Sequence, residues 1–157
     1  MDELSYITFA AYAEGIYTEK GSKFIACAFP VSNENEVHQA MLQVKEKYPK
    51  ARHYCFAYQL QDDYYRASDD GEPSGTAGKP IHNHLRSHQL TDALIVVVRY
   101  FGGVLLGSGG LVTAYKTAAG EAIQNANLIT KQFEDSVSFS FYFTELNEVM
   151  KIAKQKS

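Results

Sequence analysis

The chain has 157 residues, of which 45% are hydrophobic, and a formal net charge of −3. This length is sufficient for one large domain, or for one domain and part of a second. So small a net charge gives no global field toward nucleic acid or a membrane, so any such binding depends on a local patch. No apolar run approaches transmembrane length, and the acidic start MDELSYITF lacks the apolar core of a signal peptide. We therefore expect a soluble, cytoplasmic protein.

The first third of the chain predicts two strands and a helix. Residues 6–17 predict a first strand, residues 19–22 a hairpin-like turn, and residues 24–31 a second strand that is apolar on both faces. Asn33 and Glu36 have the spacing of a capping box, which predicts the start of a helix. The apolar face of this helix recurs at helical spacing as far as Pro49: Val37, Ala40, Met41, Val44 and Tyr48.

Successive side chains of residues 53–60 alternate between two sets, which predicts a strand with two distinct faces. Residues 64–68 follow a turn and predict a short partner strand. Cys27 and Cys55 fall in predicted strands, which favours buried, reduced thiols; a disulfide or a reactive pair is the alternative. The two faces of the alternating strand are Tyr54, Phe56, Tyr58 and Leu60 on one side, and His53, Cys55, Ala57 and Gln59 on the other.

A polar segment, DDGEPSGTAGKP at residues 69–80, predicts a loop because it is rich in turn-forming residues. Residues 81–89 predict a short helix after it. The carboxylates of Asp69, Asp70 and Glu72 offer the oxygen ligands that Mg²⁺ prefers, and Lys79 offers a partner for a phosphate. A loop whose residues only fix a turn is the favoured alternative.

The chain is organised around residues 92–126. Leu94 to Val98 form an unbroken apolar run that predicts a strand buried on both faces. Glycine-rich sequence then leads into a predicted helix whose apolar stripe runs from Leu111 to Ala126. Unpaired N–H groups at such a helix start, approached through glycines, predict an anion or phosphate cradle. A tight turn without a ligand is an equally good interpretation.

Basic and histidine residues cluster between these two segments. His84 and His88 are four residues apart, as in a metal site on a helix, but histidines without a metal are the favoured interpretation. Lys79 and Arg86 lie in the same stretch, and Tyr100 and Phe101 offer aromatic faces; basic and aromatic side chains together are what RNA binding needs. The alternative is that the two aromatic residues fill the core. His82 completes this stretch, and we expect Arg99 and Lys116 near the same end of the sheet.

The end of the chain has a different pattern. Residues 128–132 predict a strand that closes the first domain, or a linker. Residues 136–143 alternate between apolar and more polar side chains, which predicts an amphipathic strand, and Thr144 is the predicted cap of a last helix. One strand and one helix bury little by themselves. The tail therefore predicts the first half of a second small α/β domain, or an element docked on the first.

Two segments together resemble the paired signatures of the IMPACT/YigZ family: SDDGEPSGTAGKPI from Ser68 to Ile81, and VVVRYFGGVLLGSGGLVTAY from Val96 to Tyr115. A weaker similarity is ARHYCFAY, from Ala51 to Tyr58. The resemblance implies an α+β fold in which residues 1–130 form a ribosomal protein S5 domain 2-like sheet with two helices packed on one face. It also implies that residues 131–157 begin a truncated ferredoxin-like domain, similar to a domain of elongation factor G.

The resemblance also carries functional expectations. Eukaryotic members resemble translational regulators that restrain the amino-acid-starvation kinase pathway by competing for its activator protein. Bacterial members resemble factors associated with translation or nucleic acid. The chain departs from the family pattern at Thr113, where arginine is frequent, and this removes one candidate phosphate or RNA contact. The short tail is a second departure.

The preferred hypothesis is a non-enzymatic cytosolic factor, without cofactor or metal, that binds RNA, the ribosome or a translation-regulating protein. The alternative is an enzyme that binds a phosphorylated small molecule or nucleotide at the helix start Gly107–Gly110; no Walker A, dinucleotide or G-x-S-x-G motif is present. The preferred hypothesis requires the two long motifs to meet at one edge of the sheet. Their predicted binding surface comprises Asp69, Asp70, Gly71, Glu72, Ser74, Gly75, Thr76, Lys79, Arg99, Tyr100, Phe101, Gly102, Gly103, Gly107, Ser108, Gly109 and Gly110.

Overall fold

A computed structural model describes residues 4–133 of the chain. The chain divides into two compact units. The larger unit is Ile7–Ile129, and the described part of the smaller one is residues 4–6 and 130–133. The strand and helix predicted at residues 136–143 and after Thr144 lie outside the described residues, and so does most of the predicted second domain.

Five antiparallel strands form the main sheet in the order β2-β3-β6-β4-β5, and β1 pairs with β7 in a separate two-stranded sheet. Three α-helices connect the strands within residues 4–133. The bounds are β1 Ser5–Phe9, β2 Ala13–Glu19, β3 Ser22–Pro30, α1 Glu34–Lys47, β4 His53–Gln59, β5 Tyr65–Ser68, α2 Gly78–Ser87, β6 Ala93–Tyr100, α3 Gly107–Asn125 and β7 Leu128–Gln132, with one 3₁₀ turn at Gln61–Asp63.

The central strand β6 is covered on both faces, as its unbroken apolar sequence predicts. Every residue from Ala93 to Val98 is fully buried. Its odd-numbered positions join a core with α2 and α3, whereas its even-numbered positions join a second core with α1. The α+β class is therefore confirmed, with two helices on one face and a third helix on the other.

Local sequence signals explain several of these elements. The Asn33 side chain accepts a hydrogen bond from the Glu36 N–H at 2.9 Å, and the Glu36 carboxylate accepts one from the Ser32 N–H at 2.7 Å. These bonds cap α1 and confirm its predicted start, although the Glu36 carboxylate bonds the residue before the Asn33 cap and not Asn33 itself. Lys20 and Gly21 both have positive φ, the conformation that joins β2 tightly to β3.

Three predicted boundaries were wrong. Residues 6–17 form two strands because the chain changes partner between them: β1 pairs with β7, and β2 with β3. α2 begins at Gly78, three residues earlier than predicted, because a carboxylate in the preceding loop caps it. Gly107–Gly110 form the first turn of α3 and do not precede it.

The two thiols are free and buried, as predicted. Cys27 lies in the core on the α1 side of the sheet, and Cys55 lies in the core on the α2–α3 side. Burial raises the pKa of the Cys27 thiol to about 11 and raises the pKa of the Cys55 thiol further. Both groups are therefore protonated and unreactive at neutral pH.

Candidate functional site

The two long motifs are joined by a buried ion pair. Arg99 Nη1 donates to both carboxylate oxygens of Glu72, at 2.8 and 3.1 Å. The Tyr115 hydroxyl donates to the same carboxylate at 2.5 Å, and His53 Nε2 lies 3.6 Å from it. We call Glu72, Arg99, Tyr115 and His53 the motif junction. It brings the Asp69–Lys79 loop, the end of β6 and the side of α3 into contact.

The sheet register places Arg99 at the junction. Arg99 is the seventh residue of β6, opposite Phe24 of β3 on one side and His53 of β4 on the other. Its guanidinium carbon lies 5.5 Å from the centre of the Phe24 ring and 5.4 Å from the centre of the Phe101 ring. Cation–π contacts of this length favour a desolvated guanidinium. Ser22 Oγ accepts from Arg99 Nη2 at 3.4 Å and from the Gly102 N–H at 3.1 Å.

Burial makes the junction sensitive to the loss of either charge. The Arg99 and Glu72 side chains are 6% and 3% exposed. Arg99 Nε is also buried and has no hydrogen-bond partner among residues 4–133. Two charges removed from water stabilise a fold only while they compensate each other. The junction therefore fixes the loop position, and Arg99 is not available as a free cation for a ligand.

Carboxylates inside the loop hold its backbone. Asp69 accepts backbone hydrogen bonds from Gly75 at 2.9 Å, Ala77 at 3.1 Å and Gly78 at 2.8 Å. Partial burial acts to raise the pKa of Asp69, but these three bonds outweigh it and hold the pKa below its usual value. The Asp70 carboxylate accepts from the Tyr54 N–H at 2.7 Å. The Asp69 and Asp70 carboxylates thus hold the loop in place through hydrogen bonds from backbone N–H groups, and Asp69 caps the N-terminus of α2.

These bonds bear on the magnesium interpretation of the loop. Asp69 and Asp70 bind backbone amides, and Glu72 binds Arg99. Among residues 4–133, no group of three or more histidine, cysteine, aspartate or glutamate side chains is arranged to hold a metal. His84 and His88 stack at 5.4 Å between ring centroids, and His82 is buried against the side-chain oxygen of Gln59 at 2.8 Å.

The exposed part of the two motifs lies outside the junction. We call this part the rim surface. Its most prominent members are Val104 and Leu105, whose side chains are 47% and 84% exposed. Neighbouring glycines and small residues complete it, and Lys79 is its exposed cation. The other rim residues are Ser74, Gly75, Gly102, Gly103, Gly107, Ser108 and Gly109.

The remaining predicted site residues are used within the fold or lie at the edge of the rim. Tyr100 donates its hydroxyl to the Pro49 carbonyl at 2.9 Å, and Phe101 lies half-buried beneath the Arg52 guanidinium at 4.6 Å. Thr76 is buried and donates to the Pro73 carbonyl at 2.6 Å. Gly71 is exposed and lies against the His53 ring. Gly110 is half-buried in the first turn of α3.

Sequence reasoning missed three contributors to the junction. Ser22 was treated only as a turn residue, His53 as one member of an alternating strand, and Tyr115 as part of an apolar helix stripe. A signal existed for Tyr115, since a hydroxyl in a stripe otherwise made of alanine, leucine and isoleucine needs a buried acceptor. Its acceptor, Glu72, is 43 residues away in sequence, so spacing gave no indication of the pair.

Among the described residues, no helix is both long and apolar enough to cross a bilayer. The fold and the junction define a class: a three-layer α+β domain in which two loop motifs are locked together by a buried ion pair.

Comparison with known proteins identifies the family of the chain. The Impact N-terminal domain model matches residues 20–123. An IMPACT family member of Bacillus subtilis, YvyE, is 35% identical over 92% of this chain and 68% of its own length. The Escherichia coli member YigZ is 39% identical over 67% of this chain and 53% of its own length. The chain belongs to the IMPACT family, and it spans about two thirds of the first relative and about half of the second.

A solved structure agrees with this assignment. A crystal structure described as that of a hypothetical protein superposes with a TM-score of 0.79 at 28% sequence identity. The match covers 93% of this chain and 78% of that chain. The fold is therefore one that an independent, distantly related sequence also adopts.

Proposed function

We propose that the chain is a translation-associated regulatory factor that binds a protein partner through the rim surface. The translational part is supported by family membership, since the family's eukaryotic members resemble translational regulators. RNA and the ribosome belong to the same hypothesis and are outcomes of the test below.

The observation that carries the proposal is the exposure of Val104 and Leu105 on a loop that is fixed at both ends. Gly102 begins this loop, and a Cβ built there would meet the Gly21 backbone carbon at 2.2 Å, so the loop is pressed against the β2–β3 turn. α3 begins at its other end. Burying these two exposed aliphatic side chains against a partner would remove apolar surface from water and so favour binding.

Charge supports a protein partner over RNA at this surface. RNA binding needs cations free to contact phosphates. The arginine of the second motif, Arg99, is neutralised by Glu72. Arg86, further along, faces Asp63 at 3.4 Å and lies over the Tyr65 ring. Lys79 is the remaining cation of the rim, and one lysine gives a weak attraction to a nucleic acid.

The test uses a photo-crosslinker placed at the Leu105 position. Leu105→Cys is labelled with benzophenone maleimide, which reacts selectively because Cys27 and Cys55 are buried and protonated. Leu42→Cys is the matched control: Leu42 is 55% exposed and lies on α1, on the other side of the sheet. The labelled proteins are irradiated in a translating extract of the source cells, and crosslinked products are identified by mass spectrometry.

We expect a ribonuclease-resistant crosslink from the Leu105 position to a protein of the translation machinery, and none from the Leu42 position. Leu105→Asp should weaken that complex by at least about tenfold, because burying a leucine side chain contributes about 1.5–3 kcal/mol. A product that ribonuclease removes would identify RNA as the partner and refute protein binding. Equal crosslinking from both positions would refute the rim surface altogether.

A further inference from the structure

A cleft of about 470 Å³ lies between α2 and α3, on the face of the sheet opposite α1. Lys79, Asn83 and His84 of α2 line one wall, and Val112 and Lys116 of α3 line the other. We propose that this cleft binds a small organic phosphate, a phosphomonoester whose carbon part packs against the helices. This ligand class goes beyond the protein partner proposed for the rim surface.

The charges of the cleft favour an anion. Lys79 and Lys116 stand on opposite walls, and none of the lining residues within 4–133 carries a carboxylate. Neither lysine forms a salt bridge with any of residues 4–133. A phosphate bound between the two walls would be attracted by both ammonium groups. Lysine binds phosphate well as a compact point charge.

Helical spacing makes the two walls regular. Lys79 and Asn83 are four residues apart on α2, and Val112 and Lys116 are four residues apart on α3, so each pair projects from one face of its helix. Each wall therefore presents a cation one turn from a second lining residue. Asn83 adds an exposed amide that can donate to a phosphate oxygen, and Val112 adds apolar surface for the carbon part of the ligand.

His84 supplies a neutral polar group to the same wall. Its Nδ1 is buried and has no hydrogen-bond partner among residues 4–133. Burial, followed by the charges of His88 and Lys116, holds the pKa of His84 below its usual value. The helices leave just enough room for the ring, since a Cβ at Gly120 would lie 3.1 Å from His84 Nε2. A neutral imidazole in this position adds no charge to the wall.

Size separates this site from a macromolecular surface. Pockets for small molecules occupy about 300–1,000 Å³, and the cleft falls within that range. It shares only Gly75 and Lys79 with the rim surface and lies beyond the glycines of the α3 first turn. Variants of Lys116 and Val112 therefore address the cleft without altering the rim.

The experiment is isothermal titration of the full chain at low salt with AMP, ribose 5-phosphate and their dephosphorylated counterparts, adenosine and ribose. We expect at least one phosphomonoester to bind at least about tenfold more tightly than its counterpart. Lys116→Gln should weaken that binding by about tenfold, or about 1.4 kcal/mol. Val112→Glu should abolish it by placing a carboxylate in the cleft. Lys45→Gln on α1 removes one lysine on the opposite layer and should leave binding unchanged.

Circular dichroism spectra matching the unaltered chain would show that each variant is folded. The proposal is overturned if neither phosphomonoester binds with a Kd below about 1 mM, or if Lys116→Gln and Val112→Glu leave binding unchanged. It is also overturned if a single-stranded RNA oligonucleotide binds the cleft and AMP does not compete. Leu105→Asp should retain phosphomonoester binding, so failure of the cleft and failure of the rim surface give different results.

Discussion

Replacing Glu72 with glutamine tests the motif junction most directly. The substitution keeps the shape of the side chain and an acceptor for the Tyr115 hydroxyl, but it removes the charge that faces Arg99 at 2.8 Å. The guanidinium then remains buried with no compensating carboxylate. We expect the two loop motifs to separate more easily and the whole domain to lose stability.

The size of the effect follows from burial. Breaking a buried ion pair by removing one partner costs about 3–5 kcal/mol. Glutamine retains some hydrogen bonding, so we expect a loss of about 3 kcal/mol in the free energy of unfolding. Arg99→Met should be similarly costly. The double variant Glu72→Gln with Arg99→Met should lose less than the sum of the single variants by about 2 kcal/mol, because no isolated charge remains.

Urea denaturation followed by far-UV circular dichroism measures these values, and the chain has no tryptophan to follow instead. Arg86→Met is the matched control, because Arg86 faces Asp63 at 3.4 Å with both side chains exposed. We expect its cost to stay below about 1 kcal/mol. The reasoning fails if Arg99→Met costs no more than Arg86→Met, or if the effects of the junction variants simply add.

Three further outcomes are expected. Backbone hydrogen bonds hold the pKa of Asp69 below its usual value. The stability that the ionised Asp69 carboxylate contributes is therefore complete above about pH 4 and is lost as pH falls through the lowered pKa. Asp69→Asn should therefore lower the free energy of unfolding by about 1 kcal/mol at pH 7 and by less below pH 3, as measured by urea denaturation at each pH. An equal loss at both pH values would contradict the role of the ionised Asp69 carboxylate as the cap of α2. Gly102→Ala should cost at least about 2 kcal/mol of stability, because the added Cβ would lie 2.2 Å from the Gly21 backbone. Gly109→Ala, whose added Cβ would have no atom within 4 Å, should gain about 0.5 kcal/mol in the first turn of α3. Similar melting temperatures for the two variants would refute this reasoning. Cys27 and Cys55 should react with a thiol reagent at pH 8 only after unfolding in urea, and rapid reaction of the native chain would show that burial does not protect them.

Local chemistry made much of the fold predictable. The run from Leu94 to Val98 predicted a strand covered on both faces, and Asn33 with Glu36 marked the start of α1 from four residues of sequence. The early start of α2 was not visible, because its cap is the Asp69 carboxylate, eight residues before the cap position Ala77. Glycines at the start of α3 suggested a loop because their helix propensity is low, but packing of the helix on the sheet outweighs it.

The candidate site was less predictable because its chemistry depends on the fold. Arg99 next to two aromatic residues has the sequence of a nucleic-acid contact, yet its position beside the Asp69–Lys79 loop makes it a buried partner of Glu72. The sequence separation of this pair is 27 residues, and no periodicity specifies such a pairing. The exposure of Leu105 was equally invisible, because an aliphatic residue between glycines is as compatible with a core as with a surface.

The strand order has a consequence for how the chain is made. β2 with β3 and β4 with β5 are complete hairpins by Ser68, but β6, which joins them, ends only at Tyr100. Until then, a nascent polypeptide carries two hairpins, each with an open edge available to other chains. Synthesis that stops before Ala93 would leave both edges unpaired, so stalled or truncated products should aggregate where slightly longer ones fold.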